Sequence, residues 1–87
     1  MGGQLDKKKQ RLLSKPKDYT YTEANSLLTA LGFVEYTKGK TSGSRRKFVR
    51  EADGATVLLH KPHPGDVMPV AATKSLCEDL KEYGDIK

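Results

Sequence analysis

The chain has 87 residues, of which 36% are hydrophobic and 7% aromatic, so it can build one small domain with a thin core. Its single cysteine, Cys77, excludes an internal disulfide and a cysteine-based zinc site, and it suits a reducing cytoplasm. The N-terminus is charged and no apolar run approaches the ~20 residues of a membrane span, so we expect a cytoplasmic protein with no membrane contact.

The net charge of +5 is unevenly distributed along the chain. Six lysine and arginine side chains lie within residues 1–17, against Asp6 alone. The stretch from Lys38 to Arg50 carries six basic residues and no acid, whereas the stretch from Glu78 to Asp85 is acidic. This separation indicates a polyanion-binding surface and a different surface for another contact. A cationic tail with no specific role is the alternative.

The first 18 residues are predicted to be a basic, flexible segment. They contain a lysine run and Pro16, and only Leu5, Leu12 and Leu13 offer apolar surface to bury. We therefore place the folded domain at residues 19–87.

The first predicted helix begins after Thr20. This residue is a suitable N-cap, and Glu23, three residues on, completes a capping box. Apolar residues then recur at i, i+3, i+4 and i+7: Ala24, Leu27, Leu28 and Leu31. Gly32 is predicted to end the helix.

Three strands and a second helix are predicted next. The strands are Phe33–Lys38, Arg45–Glu51 and Ala55–His60, and the Asp53-Gly54 pair indicates a hairpin between the last two.

After a proline-interrupted stretch, a helix is predicted from Val70 to Tyr83. Its inner stripe is Thr73, Leu76, Cys77 and Leu80, with Gly84 as its stop. The pattern predicts an α+β fold of order α-β-β-β-α, with a three-stranded antiparallel sheet and both helices on one face.

The stretch "GKTSGSRRKF", from Gly39 to Phe48, is a candidate phosphate-binding segment. Glycine and serine let the backbone approach a ligand closely, and arginine forks bind phosphate in a bidentate manner. The candidate ligands here are Lys40, Gly43, Ser44, Arg45, Arg46 and Lys47. Alternation places Arg45 and Lys47 on one face of a strand, and Arg46 and Phe48 on the other. The alternative is an edge strand that its charges protect from aggregation.

The stretch "HKPHP" holds the only two histidines, His60 and His63. Histidine titrates near pH 6.5, so it can take a proton from a 2′-hydroxyl and return one to a leaving 5′-oxygen. Lys61 between them is a further candidate RNA ligand. A structural histidine at a strand end is the alternative. Two histidines without further ligands do not make a metal site, so we predict no metal and no small-molecule cofactor.

Four segments in order resemble the HicA family of bacterial toxins: "LLTALGF", the Gly43-Ser44 step into a strand with Phe48, "LLHKPHPG", and "LKEYG". The resemblance covers about residues 19–86. It implies a fold like that of double-stranded RNA-binding domains, ribosome-independent cleavage of mRNA, and neutralisation by a HicB-like antitoxin partner.

The family's loop pattern is Gly-Ser-His with Phe three residues after the catalytic His. Gly43, Ser44 and Phe48 match this pattern, but Arg45 stands at the His position. Arginine stays protonated, so it cannot be the general base, although it can hold the scissile phosphate. The resemblance thus implies proton transfer by His60 or His63. A non-catalytic RNA-binding module and a protein-interaction domain are the alternatives.

Overall fold

The structure is a computed structural model and describes residues 3–36, 45–62 and 65–86. Its elements are α1 (Gly3–Leu13), α2 (Tyr21–Ala30), β1 (Val34–Tyr36), β2 (Arg45–Arg50), β3 (Ala55–His60) and α3 (Val70–Glu82). The order from α2 to α3 is the predicted α-β-β-β-α order, so the α+β fold class is confirmed. The additional helix α1 precedes it. None of the described helices is long and apolar enough to cross a membrane.

The described residues form one antiparallel sheet in the order β1-β2-β3. Phe48 of β2 faces Val57 of β3, and Lys47 faces Leu58. Because side chains alternate along a strand, these two pairs lie on opposite faces of the sheet. Phe48 and Val57 are each 1% exposed, whereas Leu58 is 67% exposed. One face is therefore covered by the helices and the other is open.

The core lies between the covered face and the helices. Tyr21 of α2 packs on Phe48 with ring centroids 6.4 Å apart. The inner stripe of α3 is the predicted one, because its buried residues are Thr73, Leu76, Cys77 and Leu80. Thr73 is the polar member of this core, and its hydroxyl donates to the Pro69 carbonyl at 3.3 Å. This bond satisfies the buried hydroxyl within its own helix.

Both ends of α2 are as predicted. The Thr20 hydroxyl accepts from the Glu23 N–H at 3.1 Å, and the Glu23 carboxylate accepts from the Thr20 N–H at 3.0 Å. At the other end Gly32 has a φ of +95°. The Phe33 N–H then donates to the Leu28 carbonyl at 2.9 Å, which is the bond of a Schellman ending. The sequence signals for this helix are therefore confirmed.

The segment before α3 is irregular, as its prolines predict, but it is held by backbone bonds. The Tyr21 N–H donates to the Asp66 carbonyl at 2.7 Å, and the Met68 N–H donates to the Tyr19 carbonyl at 2.8 Å. Tyr19 and Met68 are each 1% exposed. These bonds fix the start of α2 against the entry to α3.

Arg50 joins three separate parts of the chain. Its Nη1 donates to the Leu31 carbonyl at 3.2 Å and to the Asp85 carboxylate at 2.8 Å. Its Nε and Nη2 donate to Asp53 in the β2–β3 turn at 3.0 and 2.9 Å. The guanidinium also lies 4.6 Å from the centroid of the Phe33 ring. One side chain thus links the end of α2, the hairpin and the C-terminal segment.

The N-terminal segment differs from the flexible tail predicted for residues 1–18. Gly3–Leu13 forms α1, which packs against α2 and α3, and Leu12 is fully buried. Leu5 and Leu13 are partly buried against the same core. The three leucines of this segment are spaced along one helix, and they reach the core because α1 packs against α2 and α3.

A charged cluster fastens α1 to α2. Arg11 donates to the Glu23 carboxylate at 2.8 and 3.2 Å and to the Asp18 carboxylate at 3.1 Å. Glu23 is also the capping-box residue of α2. The hydrogen bond from Arg11, followed by those from Thr20, lowers the pKa of Glu23. The helix cap and the docking of α1 therefore share one carboxylate.

Because the pKa of Glu23 is lowered in the folded state, its ionised form stabilises the fold above the unfolded pKa, about 4.3. That contribution is lost as pH falls through the lowered folded-state pKa. Glu23→Gln keeps the cap acceptor but removes the charge, so we expect its melting temperature to lie below that of the wild type at pH 7. At pH 3 the difference between the two melting temperatures should be smaller. Thermal melts followed by circular dichroism measure this difference. The matched control is Glu82→Gln on the exposed face of α3. An equal difference in melting temperature between Glu23→Gln and the wild type at pH 7 and pH 3 would contradict a stabilising role of the Glu23 charge.

Candidate nucleic-acid interface

The open face of the sheet carries His60, one of the two candidate catalytic histidines. It is formed by alternate side chains of the three strands: Val34, Tyr36, Lys47, Val49, Thr56, Leu58 and His60. Val34 is 57% and Tyr36 is 42% exposed, so apolar groups are as accessible here as charged ones. An exposed patch of this kind on a small domain is typical of an interaction surface.

His60 lies at one end of this open face, directly opposite the start of β2. Its Cα partner across the ladder is Arg45. The backbone pairing therefore places the start of β2 beside the end of β3. The other residues predicted there, Lys40, Gly43, Ser44 and His63, lie outside the described residues.

Lys47 and Tyr36 extend the surface from His60 along the open face. They are ladder partners on β2 and β1, and Lys47 is exposed. The Tyr36 hydroxyl donates to the Glu51 carboxylate at 3.1 Å, and this hydrogen bond raises the pKa of Tyr36. The bond holds the phenol at the edge of the sheet while part of the ring stays accessible. The open face therefore combines a histidine, an ammonium group and an aromatic ring.

Arg46 lies on the covered side of the sheet. Its Nε is 3.1 Å from the Glu35 carboxylate of β1, and its side chain is 21% exposed. The pair lies near Tyr21, where burial first and the charge of Glu35 next raise the pKa of that phenol to about 12. Arg46 thus links β2 to β1 within the domain, and it does not share the open face with Lys47 and His60.

Lys61 follows His60 but lies on another surface. Its Nζ is 5.9 Å from the centroid of the Tyr21 ring, a distance at which a cation is attracted to the π-face. It lines an open groove of about 640 Å³ that we call the α1–α2 groove. Other residues that line this groove are Lys8, Tyr21, Asn25, Ser26 and Thr29.

The exposed Tyr36 and the polar face of α2 were not predicted, although each has a signal in the sequence. Val34 and Tyr36 alternate with Glu35, which lies on the covered side of the sheet, and this alternation was a usable signal for an exposed aromatic residue. Thr22, Asn25, Ser26 and Thr29 recur at i, i+3, i+4 and i+7, which marks a polar face of α2 opposite its apolar one. The lysine that α1 adds to the groove had no such signal, because that segment was predicted to be flexible.

The fold and the open face define a small α+β domain whose accessible sheet face carries His60 and Lys47 among the described residues. A family model described as the HicA toxin of bacterial toxin-antitoxin matches residues 21–82. The chain therefore belongs to the HicA toxin family, as the sequence resemblance predicted. No curated protein and no solved structure gave a significant match. The family match begins at the first residue of α2, so α1 lies outside it.

Proposed function

We propose that the chain is the toxin of a bacterial type II toxin–antitoxin pair and acts in the cytoplasm as an endoribonuclease on mRNA. The observation that supports this most is the ladder pairing of His60 with Arg45 on the exposed sheet face. Imidazole is a common general acid or base in catalysis and arginine is a common phosphate ligand, so the pairing joins two residue types that suit RNA cleavage. Membership of the HicA toxin family supports the same conclusion.

The reaction follows from the chemistry of RNA itself. His60 takes the proton of a 2′-hydroxyl, and the 2′-oxygen attacks the adjacent phosphorus. The bond from phosphorus to the 5′-oxygen breaks, and this oxygen leaves with a proton supplied by a second acid. His63, three residues further along the chain, is the candidate for that acid. Arg45 holds the phosphate and stabilises the charge that develops on it, so the proton transfers require no metal ion.

The proposed partner is a HicB-like antitoxin that covers the open face. Val34 and Leu58 are more than half exposed on this face, and Lys47 adds positive charge beside them. An acidic protein with an apolar centre fits this combination, and opposite charge speeds its association. Covering the open face would also cover His60 and block access of RNA.

The experiment that tests this function is a cleavage assay with purified full-length protein and a long mRNA at neutral pH in the presence of EDTA. We expect cleavage above that of a mock preparation, with 2′,3′-cyclic phosphate ends on the products. No cleavage, with or without added divalent cations, would contradict the ribonuclease proposal.

A second candidate function is RNA binding without cleavage. It is favoured by Arg45, which stands where the family pattern has its catalytic His. Salt-dependent RNA binding by a protein that does not cleave would support this candidate. A protein that neither binds nor cleaves RNA would instead favour a protein-interaction domain.

A further inference from the structure

The α1–α2 groove has the composition of a surface for a polyanion. Its lining includes Lys8 of α1 and Lys61, which directly follows β3. Within the described part of the chain, neither lysine forms an ion pair with a carboxylate. Both ammonium groups are therefore available to an external phosphate. Arg11, although close by, is committed to Glu23 and Asp18.

The carboxylate that lines the groove is already engaged. Asp66 Oδ2 accepts from the Thr22 N–H at 3.2 Å, in the first turn of α2. The partial positive charge at the N-terminus of α2 stabilises the negative charge of the Asp66 carboxylate. Asp66 thus serves α2, and the groove between the two lysines keeps a positive balance.

Uncharged hydrogen-bonding groups also line the groove. Asn25, Ser26 and Thr29 project from one face of α2, and Ser26 and Thr29 are exposed. The Thr29 hydroxyl donates to Asn25 Oδ1 at 3.2 Å, which leaves the Asn25 amide N–H groups to point elsewhere. Hydroxyl and amide groups can both donate to and accept from a ribose 2′-hydroxyl. Two lysines and several neutral hydrogen-bonding groups in one groove suit the phosphates and the sugars of an RNA strand.

We propose that the α1–α2 groove is an RNA-backbone site, in which Lys8 and Lys61 bind phosphates and the polar face of α2 contacts ribose. The inference rests on the proposed RNA function and extends it to a second surface. Lys61 directly follows His60, so the groove begins one residue from the candidate catalytic side chain. The site needs α1, which the family match does not include, so this helix adds to the RNA-binding surface of this chain.

The test is the affinity for a fluorescently labelled hairpin RNA, measured by anisotropy at several salt concentrations with EDTA present. All proteins carry His60→Ala so that the RNA stays intact. The groove variant has Lys8→Ala and Lys61→Ala, and the matched control has Lys74→Ala and Lys81→Ala on the exposed side of α3. Two lost phosphate contacts make the plot of log K against log salt shallower by about 1.5, which corresponds to about 10- to 30-fold weaker binding at 0.1 M salt. The control variant should bind like the His60→Ala background.

Each other outcome overturns a specific statement. Equal binding by the groove variant, the control variant and the background overturns the groove site and leaves the proposed function intact. No RNA binding by the background or by the wild type overturns the proposed function together with the groove site. If the groove variant melts at a lower temperature, the pair Lys8→Gln and Lys61→Gln replaces it, because glutamine removes the charge but keeps most of the side-chain stem. That variant should bind RNA more weakly than the background, and unchanged affinity with an unchanged melting temperature would contradict a phosphate-binding role.

Discussion

Replacing His60 with alanine is expected to lower the rate of RNA cleavage by about 10²–10⁴-fold, the usual cost of losing a general acid or base. His60 is exposed, so its removal should leave the melting temperature of the domain unchanged. The measurement is the initial rate of cleavage of one defined mRNA, with a melting curve of each variant alongside. Binding of RNA should persist, because the neighbouring basic residues remain.

The controls for His60→Ala separate proton transfer from charge. Arg45→Ala should weaken RNA binding as well as slow cleavage, whereas His60→Ala should slow cleavage alone. Lys74→Ala, on the far side of the molecule, should behave like the wild type. If His60→Ala cleaved at the rate of the wild type while His63→Ala did not, His60 would be excluded as the base and His63 would take that role.

Replacing Leu12 with alanine is expected to lower the free energy of unfolding by about 2–5 kcal/mol, because it opens a cavity in a filled core. Leu12 is fully buried although it belongs to a helix outside the family match. Small domains have total stabilities of only about 5–15 kcal/mol, so this loss should be visible in any denaturation curve. Chemical denaturation monitored by circular dichroism measures it.

The neighbouring residue is the natural control for this prediction. Leu13→Ala removes the same atoms from a partly buried position, so its effect should be clearly smaller. Equal effects of the two substitutions, both near zero, would mean that α1 does not belong to the cooperative domain. In that case the groove that α1 forms with α2 would lose its support as well.

The two helices that flank the sheet were predictable because their signals are local. The capping box of Thr20 and Glu23 and the stop at Gly32 depend only on residues within one turn of each other. The stripe of α3 and its end at Gly84 follow the same logic. Alternation along β2 likewise predicted which side chains accompany Phe48. Short-range physics determines these features, so the sequence alone is enough to find them.

The remaining features depend on contacts between distant residues. Three leucines in a lysine-rich segment do not predict a buried helix until α2 and α3 are present to pack against it and bury Leu12. Alternation placed Arg46 beside Phe48, but its partner Glu35 is on another strand, so its role as an internal ion pair was not predictable. The resemblance to the family assigned the loop residues a function without showing which of them share a surface.

The outer edge of β3 is closed at one end by a side chain. The Tyr83 hydroxyl donates to the Thr56 carbonyl at 2.7 Å and accepts from the Thr56 N–H at 3.3 Å. Backbone groups that bond outward recur at every second residue of a strand, so Leu58 and His60 present theirs to the same edge. A strand from another molecule could not pair with the Thr56 backbone groups, because the Tyr83 hydroxyl already bonds to both of them. The Tyr83 hydroxyl thus opposes edge-to-edge polymerisation at this end of β3. The part of the β3 edge that stays open to pairing is the half that carries His60.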